Sequence, residues 1–415
     1  MKRVLWLVLV CLLTAVLVLS SCTESTSETP PQAETETTKT ALPTPTQTRP
    51  LPSLDAFMKG IVFADWLPFD ASQPKLGFDT PPSPPKPGLS IPPPPRRLPY
   101  TPSETDSSLK DLATTGANWI QLIVNVGQET IASTTIFSNR PRTATDTELQ
   151  HVIDFAHSLG MRVLLRPQVS LSNDPEHWYG LIGTAFTSEA QWQEWFTSYR
   201  GFINHYAAFA QEAGVDMLSL GEEMGGVTHR EDDWRRIVQE VRQRFKGPIT
   251  YCSMGGLGML DAPFPYNENK LIKWWDAVDY IGVNVYYPLT DKNDPTVAEI
   301  KAAWTEKGYI AHLESLSSRF NKPIIFTEFG YPSIDGANKQ PAGPAGYLTG
   351  KTIDLQEQAD CYQAALEVLW DRPWLKGIFW FQWWVTQTCG PNDVTMTPCG
   401  KPAEEVVKKY YLANQ

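Results

Sequence analysis

The chain has 415 residues, 42% of them hydrophobic, and a formal net charge of −11 from 35 basic and 46 acidic side chains. An excess of acid on this scale argues against nucleic acid and anionic lipid surfaces as partners, since both are polyanions. The six cysteines form no CxxC pair and no histidine stands at metal-ligand spacing, so neither a metal nor another cofactor is implied.

Met1, Lys2 and Arg3 lead into an apolar run from Val4 to Leu19, followed by Ser20, Ser21 and Cys22. A run of this length can be read as a membrane span, but a basic start, an apolar stretch and small residues at its end make an export signal. Small residues running into a cysteine resemble the lipobox of bacterial lipoproteins. That resemblance implies an acylated Cys22 as the first mature residue, an exported chain lipid-anchored at the cell surface, and no other membrane contact. Removal of residues 1–21 takes away Lys2 and Arg3 and moves the charge to −13. From the cysteine to residue 50, Thr, Glu, Pro and Ser dominate and no aromatic residue occurs. Such a segment buries too little apolar surface to offset chain entropy, so residues 22–50 are expected to be a disordered tether. Residues 51–415 suit one α/β catalytic domain with large loops.

Eight β-branched or aromatic runs are predicted as strands, at 59–65, 118–126, 161–169, 215–221, 248–253, 279–287, 323–328 and 377–383. Amphipathic stretches predict helices at 146–159, 189–213, 232–245, 296–319 and 354–370, the first opened by TATDTELQ with its capping threonine and following acids. The alternation points to a (β/α)8 TIM barrel rather than a doubly wound sheet, because neither GxGxxG nor a P-loop follows any strand. After the first strand comes a Pro-rich insertion, residues 67–104, with 13 of the 35 prolines. It reads as a rigid surface excursion rather than a lid over substrate. Near the C-terminus, Cys389 and Cys399 bracket a turn rich in Gly, Pro, Asn and Asp, and the sequence leaves open whether they pair.

Function in such barrels collects at the C-terminal ends of the strands. The fourth predicted strand ends in GEEM, the seventh in FTEFGY and the eighth in FWFQWW. Period-two alternation puts Met217, Ser219, Gly221 and Glu223 on one face and Leu218, Leu220 and Glu222 on the other. The larger aliphatics belong against helices, so Glu223 is expected to face the barrel. The same parity groups Ile324, Phe326 and Glu328, and likewise Gly282, Asn284 and Tyr286. Two carboxylates meeting across the mouth suit glycosidic bond cleavage, one as proton donor and one attacking the anomeric carbon.

The segments LGEEM, DAVDYIGVNVYYPL, KPIIFTEFGYPS, GIFWFQWW and DTELQHVIDFAHSLGMRVLLRPQV together resemble glycoside hydrolase family 113, over residues 105–385. The resemblance implies a retaining TIM-barrel enzyme of clan A acting on β-1,4-linked mannan or a related β-glycan, with Glu223 as acid/base and Glu328 as nucleophile. It implies that Tyr286 holds the nucleophile and that a tryptophan of the eighth strand, Trp383 before Trp380, floors the cleavage subsite. Where the clan commonly has an asparagine just before the acid/base, this chain has Glu222. That residue is expected to accept a hydrogen bond from a sugar hydroxyl or a nearby cation, Arg166 being the candidate. An exchange of roles between Glu222 and Glu223 is the other reading.

Asn125, Asn284, Arg166 and Gln168 are further candidates for sugar hydroxyls, and Trp66, Trp178 and the tryptophans of the 380–384 cluster for stacking on a sugar face. His157, at the end of a helix, is expected to cap it rather than to catalyse. The chain is expected to be a monomer. Rival readings are a non-catalytic carbohydrate-binding surface lipoprotein, a β-glucan- or glucomannan-active hydrolase, and a transglycosylase.

Overall fold

The computed structural model describes residues 50–65, 100–138, 143–174, 176–255, 264–343, 347–386 and 389–413. Residues 1–49, where the export signal, Cys22 and nearly all of the tether are expected, lie outside the described residues, as do Trp66 and nearly all of the Pro-rich insertion. Nine strands follow in chain order: β1 (Met58–Ala64), β2 (Trp119–Gln128), β3 (Ile136–Phe137), β4 (Arg162–Leu171), β5 (Met217–Glu222), β6 (Ile249–Met254), β7 (Ile281–Val285), β8 (Ile324–Phe329) and β9 (Leu375–Trp384). All but β3 pair in parallel in the order β1-β9-β8-β7-β6-β5-β4-β2, and β1 pairs with β2 to close the ring. The result is an eight-stranded (β/α)8 barrel, with β3 an antiparallel appendix on β2.

Around it lie α1 (Pro102–Ala113), α2 (Asp146–Ser158), α3 (Glu189–Ala213), α4 (Glu231–Arg244), α5 (Glu268–Leu271), α6 (Val297–Glu306), α7 (Tyr309–Phe320), α8 (Leu355–Leu369) and α9 (Pro402–Leu412). Thr145, Ser188 and Thr296 open α2, α3 and α6 through reciprocal capping boxes with Glu148, Gln191 and Glu299, which satisfy otherwise orphaned amides. The helix expected over 296–319 is two, because Gly308 turns left-handed at φ 77° and ends the first. Among the described residues no helix is long and apolar enough to cross a membrane.

Two apolar layers follow from strand alternation. Met58, Val62, Trp119, Ile123, Leu164, Met217, Ile325 and Phe379 fill the lumen, while Ile61, Ile120, Leu165, Leu218, Leu220, Ile324 and Phe326 pack outward in the helical layer. Ile324 and Phe326 therefore do not share the barrel-facing side that parity assigned them with Glu328. At the N-terminal end of β4 and β5, Asp216 accepts from His157 Nε2 at 2.8 Å, from the Val163 amide at 2.9 Å and from Arg162. His157 thus ties α2 to the base of β5 instead of capping its own helix. Cys389 and Cys399 form a disulfide, with Cα atoms 5.0 Å apart.

Candidate active site

Strict alternation would send Glu222 and Glu223 to opposite faces, yet both open into the C-terminal mouth. Ser219 stands opposite Thr250 and Glu222 opposite Cys252, three steps along β5 against two along β6, so β5 carries an extra residue at Gly221. The space there excludes a side chain, since a Cβ on Gly221 would lie 2.3 Å from the Tyr199 hydroxyl. The bulge turns Glu222 inward, and Glu223, at φ 45°, takes the next turn in a left-handed conformation. The expectation that Glu222 faces away from Glu223 is corrected. A second slip occurs in β8, where Phe326 pairs with Val283 but Glu328 with the next residue, Asn284. This extra residue, Thr327, lets Glu328 enter the lumen although Phe326 points out.

The three acids are buried, 3%, 9% and 6% exposed for Glu222, Glu223 and Glu328, and each offers an oxygen within 4.8 Å of the others. Arg166, 1% exposed, reaches them from β4. Its Nη1 donates to Glu328 Oε1 and lies 2.9 Å from Glu222 Oε1, while Nη2 donates to Gln168 at 3.2 Å. Such a triad of acids could hold a divalent ion, but the guanidinium already supplies the positive charge between Glu222 and Glu328. Tyr286 donates to Glu328 Oε2 at 2.7 Å. Asn284 Nδ2 donates to Glu223 Oε1 at 2.8 Å and to Glu222 Oε1 at 3.3 Å, and its own Oδ1 accepts from Thr327 at 2.7 Å, which fixes the amide orientation. Tyr179 donates a longer bond, 3.4 Å, to Glu223 Oε2.

Burial, and then the Glu328 charge, push the Glu223 carboxyl up to about 7, against opposing bonds from Asn284 and Tyr179. Burial likewise raises Glu222 well above the carboxylate range, with Arg166 acting against it and both other acids reinforcing it. For Arg166, burial disfavours charge, but Glu222 and Glu328 more than offset this and hold the guanidinium protonated. One acid that keeps its proton near neutrality, beside another whose two oxygens accept from Arg166 and Tyr286, is an arrangement for acid and nucleophile at a glycosidic bond.

The family model for Glycoside Hydrolase Family 113 matches residues 94–393. The chain belongs to this family. Solved structures similar to this family 113 chain include a β-1,4-mannanase in a complex, 26% identical, TM-score 0.67, covering 86% of this chain and all of that one. Another is the β-mannanase of Alicyclobacillus acidocaldarius with ManMIm, 25% identical, TM-score 0.65, covering 86% of this chain and 98% of that one. No curated protein matches.

Within this family 113 barrel two expected substrate contacts fall elsewhere. Trp380 is sandwiched between Phe329 and Tyr362, with ring centroids 4.9 and 4.0 Å away, and Trp383 also lies in the outer layer. In β9 the partners of Ile61 and Phe63 are Trp380 and Trp383, so one extra residue intervenes and Trp384 is the tryptophan that reaches the lumen. Asn125 is half-buried opposite Gln168 and accepts from Ser170 at 3.3 Å. Trp178, half-buried, neighbours Tyr179 and lies parallel to Tyr266 at 6.3 Å. Sequence reasoning passed over Tyr179 and Thr327, and named Trp384 only within the 380–384 cluster. Neither Tyr179 nor Thr327 had a local signal.

Proposed function

We propose that this glycoside hydrolase cleaves β-1,4-linked mannan or a closely related β-glycan with retention, through a glycosyl-enzyme intermediate. The observation that carries the retaining reading is the spacing of Glu223 and Glu328, oxygens within 4.8 Å. Direct attack by a carboxylate needs about 5 Å between the carboxyl groups, whereas seating a water between them needs about 6.5–9.5 Å. Glu328 attacks the anomeric carbon while Glu223 passes its proton to the leaving oxygen. Once Glu328 is an ester its charge is gone, and one cause of the raised Glu223 value goes with it. Glu223 is then a better base toward the water that releases the sugar. Arg166 and Tyr286 hold Glu328 in line. The mannan assignment is supported by the β-mannanase names of the similar structures. The export signal and lipobox-like Cys22 support action at the cell surface.

Incubation with a 2-fluoro β-mannosyl inactivator should label a peptide containing Glu328. Glu223→Ala should retain first-step turnover on an activated aryl mannoside, lose about 10²–10⁴-fold on mannan oligosaccharides, and recover with azide to give a β-glycosyl azide. Label on another residue, or release of the α-anomer first from a β-linked substrate, would overturn the mechanism.

A further inference from the structure

We propose that Glu222 is a second protonated acid of this site, a neutral donor that gives a hydrogen bond to Glu328, rather than a carboxylate ion-paired with Arg166. The inference rests on the assignment of Glu328 as nucleophile only for its functional meaning; the proton itself is argued from the cluster.

Three carboxyl groups, each at least nine-tenths buried, cluster beside one guanidinium that contacts Glu222 and Glu328. Fully ionised, they leave a net charge of −2, and among the described residues no second cation faces them. The groups that face them are Arg166 and Gln168 on β4, Tyr179 in the loop beyond it, Cys252 on β6, Asn284 on β7 and Tyr286 just past it, with Glu268 of α5, another buried acid, acting on Glu223. Neutrality of the cluster requires two protons. Glu328 is the acid to remain ionised, because Oε1 accepts from Arg166 and Oε2 from Tyr286. Glu223 holds one proton. The other falls to Glu222, whose oxygens are unlike each other. Oε1 accepts from Arg166 and Asn284, whereas Oε2 is buried and no donor is directed at it. A carboxylate oxygen in that position would lose its hydration without replacement. Glu328 is the acceptor at hand for a Glu222 hydroxyl, since the two carboxyl groups share Arg166 Nη1 and bring oxygens within 4.8 Å of each other, an approach that is favourable only when one of them carries a proton. The hydrogen bond completes the set of donors around Glu328, with Arg166 and Tyr286. Glu222 is thereby a positioning residue for the nucleophile, and its proton stays in place throughout the reaction.

The test is infrared difference spectroscopy of the ligand-free protein at neutral pH, wild type against Glu222→Gln and Glu223→Gln. A protonated-carboxyl C=O stretch should vanish in Glu222→Gln and survive in Glu223→Gln. A spectrum in which Glu222→Gln removes only carboxylate bands overturns the proposal, whatever the enzyme does with mannan. Kinetics give a second, independent readout. Glutamine keeps both the neutral charge and a donor, so Glu222→Gln should hold kcat/KM within about tenfold and leave the alkaline limb of the pH profile in place. Movement of that limb to lower pH would mean that a negative charge beside Glu223 had been removed, and so overturns the neutral assignment. Glu222→Leu, apolar and without a donor, should lower kcat by about 10²-fold with KM little changed; wild-type kcat in that variant would overturn the positioning role. Failure of the inactivator to label Glu328, with the infrared result intact, would refute the proposed mechanism and not the protonation of Glu222.

Discussion

β4 and β5 carry an ionic cluster at each end, half-buried at the base and buried at the mouth, and the two are built on opposite principles. At the N-terminal end one acid, Asp216, receives an amide, an imidazole and a guanidinium. At the C-terminal end three acids cluster round one guanidinium, which reaches only Glu222 and Glu328. Their pKa values move apart accordingly. Although burial alone would raise Asp216, the bonds from His157, Val163 and Arg162 bring it below its ordinary value. Glu223 and Glu222 are instead pushed up. The same strand pair is locked at its base and electrostatically strained at its mouth, where a proton must be held and released.

Removing the cation that Glu222 and Glu328 share should produce the largest effect. Arg166→Met leaves Glu328 without its charged donor and should reduce kcat by on the order of 10³-fold. The same change should destabilise the fold by about 3–5 kcal/mol, the cost of breaking a buried pair from one side. Steady-state kinetics and denaturant unfolding at neutral pH check both. A variant with normal kcat would show that the mouth does not depend on its cation.

The next effect separates the ends by the sign of their pH dependence. Glu223 keeps its proton up to about 7 in the folded chain but only to about 4.3 when unfolded. Between those values unfolding releases a proton, so its contribution to stability falls as pH rises and is fully lost above about 7. Glu223→Gln, always neutral, should abolish this decline and gain up to about 3 kcal/mol at pH 8 relative to its difference from wild type at pH 4. The activity of the wild type should fall on the alkaline side as Glu223 loses the proton it must donate. Unfolding midpoints of the two proteins that keep a constant gap from pH 4 to 8 would contradict this.

How far these ends were legible in the sequence depends on where alternation holds. Through the bodies of the strands it does, and Leu218, Leu220 and Met217 fall on the sides that parity gives them. It fails at the three strand ends that build the site. The extra residues at Gly221, at Thr327 and between Trp380 and Trp383 each shift the faces by one. Glu223 and Glu328 still reach the mouth, Glu222 joins them, and Trp384 replaces Trp383 and Trp380 in the lumen. A bulge depends on what neighbouring elements present, here Tyr199 of α3 and Tyr251 of β6 crowding Gly221, and no local pattern encodes that. Tyr179 reaches Glu223 across a loop for the same nonlocal reason. The glycine immediately before the paired acids was the one visible hint.

The smallest expected effect lies at the base and should touch stability alone. Asp216→Asn keeps the shape of the carboxylate but removes the charge that Arg162 and His157 address, so about 1.5–3 kcal/mol of stability at neutral pH should be lost. In the wild type this contribution belongs to a group whose folded value is depressed. It is therefore fully present above the unfolded value of about 3.9 and disappears as pH falls through the lower folded value. The gap between the Asp216→Asn protein and wild type should accordingly narrow in acid, where that of Glu223→Gln has also closed. Because Asp216 stands at the far end of β5 from Glu222 and Glu223, kcat and the alkaline limb of the pH profile should remain those of the wild type. A shifted limb in Asp216→Asn would mean that the two ends of the strand pair are coupled, and that the register set at the base helps to place the acids at the mouth.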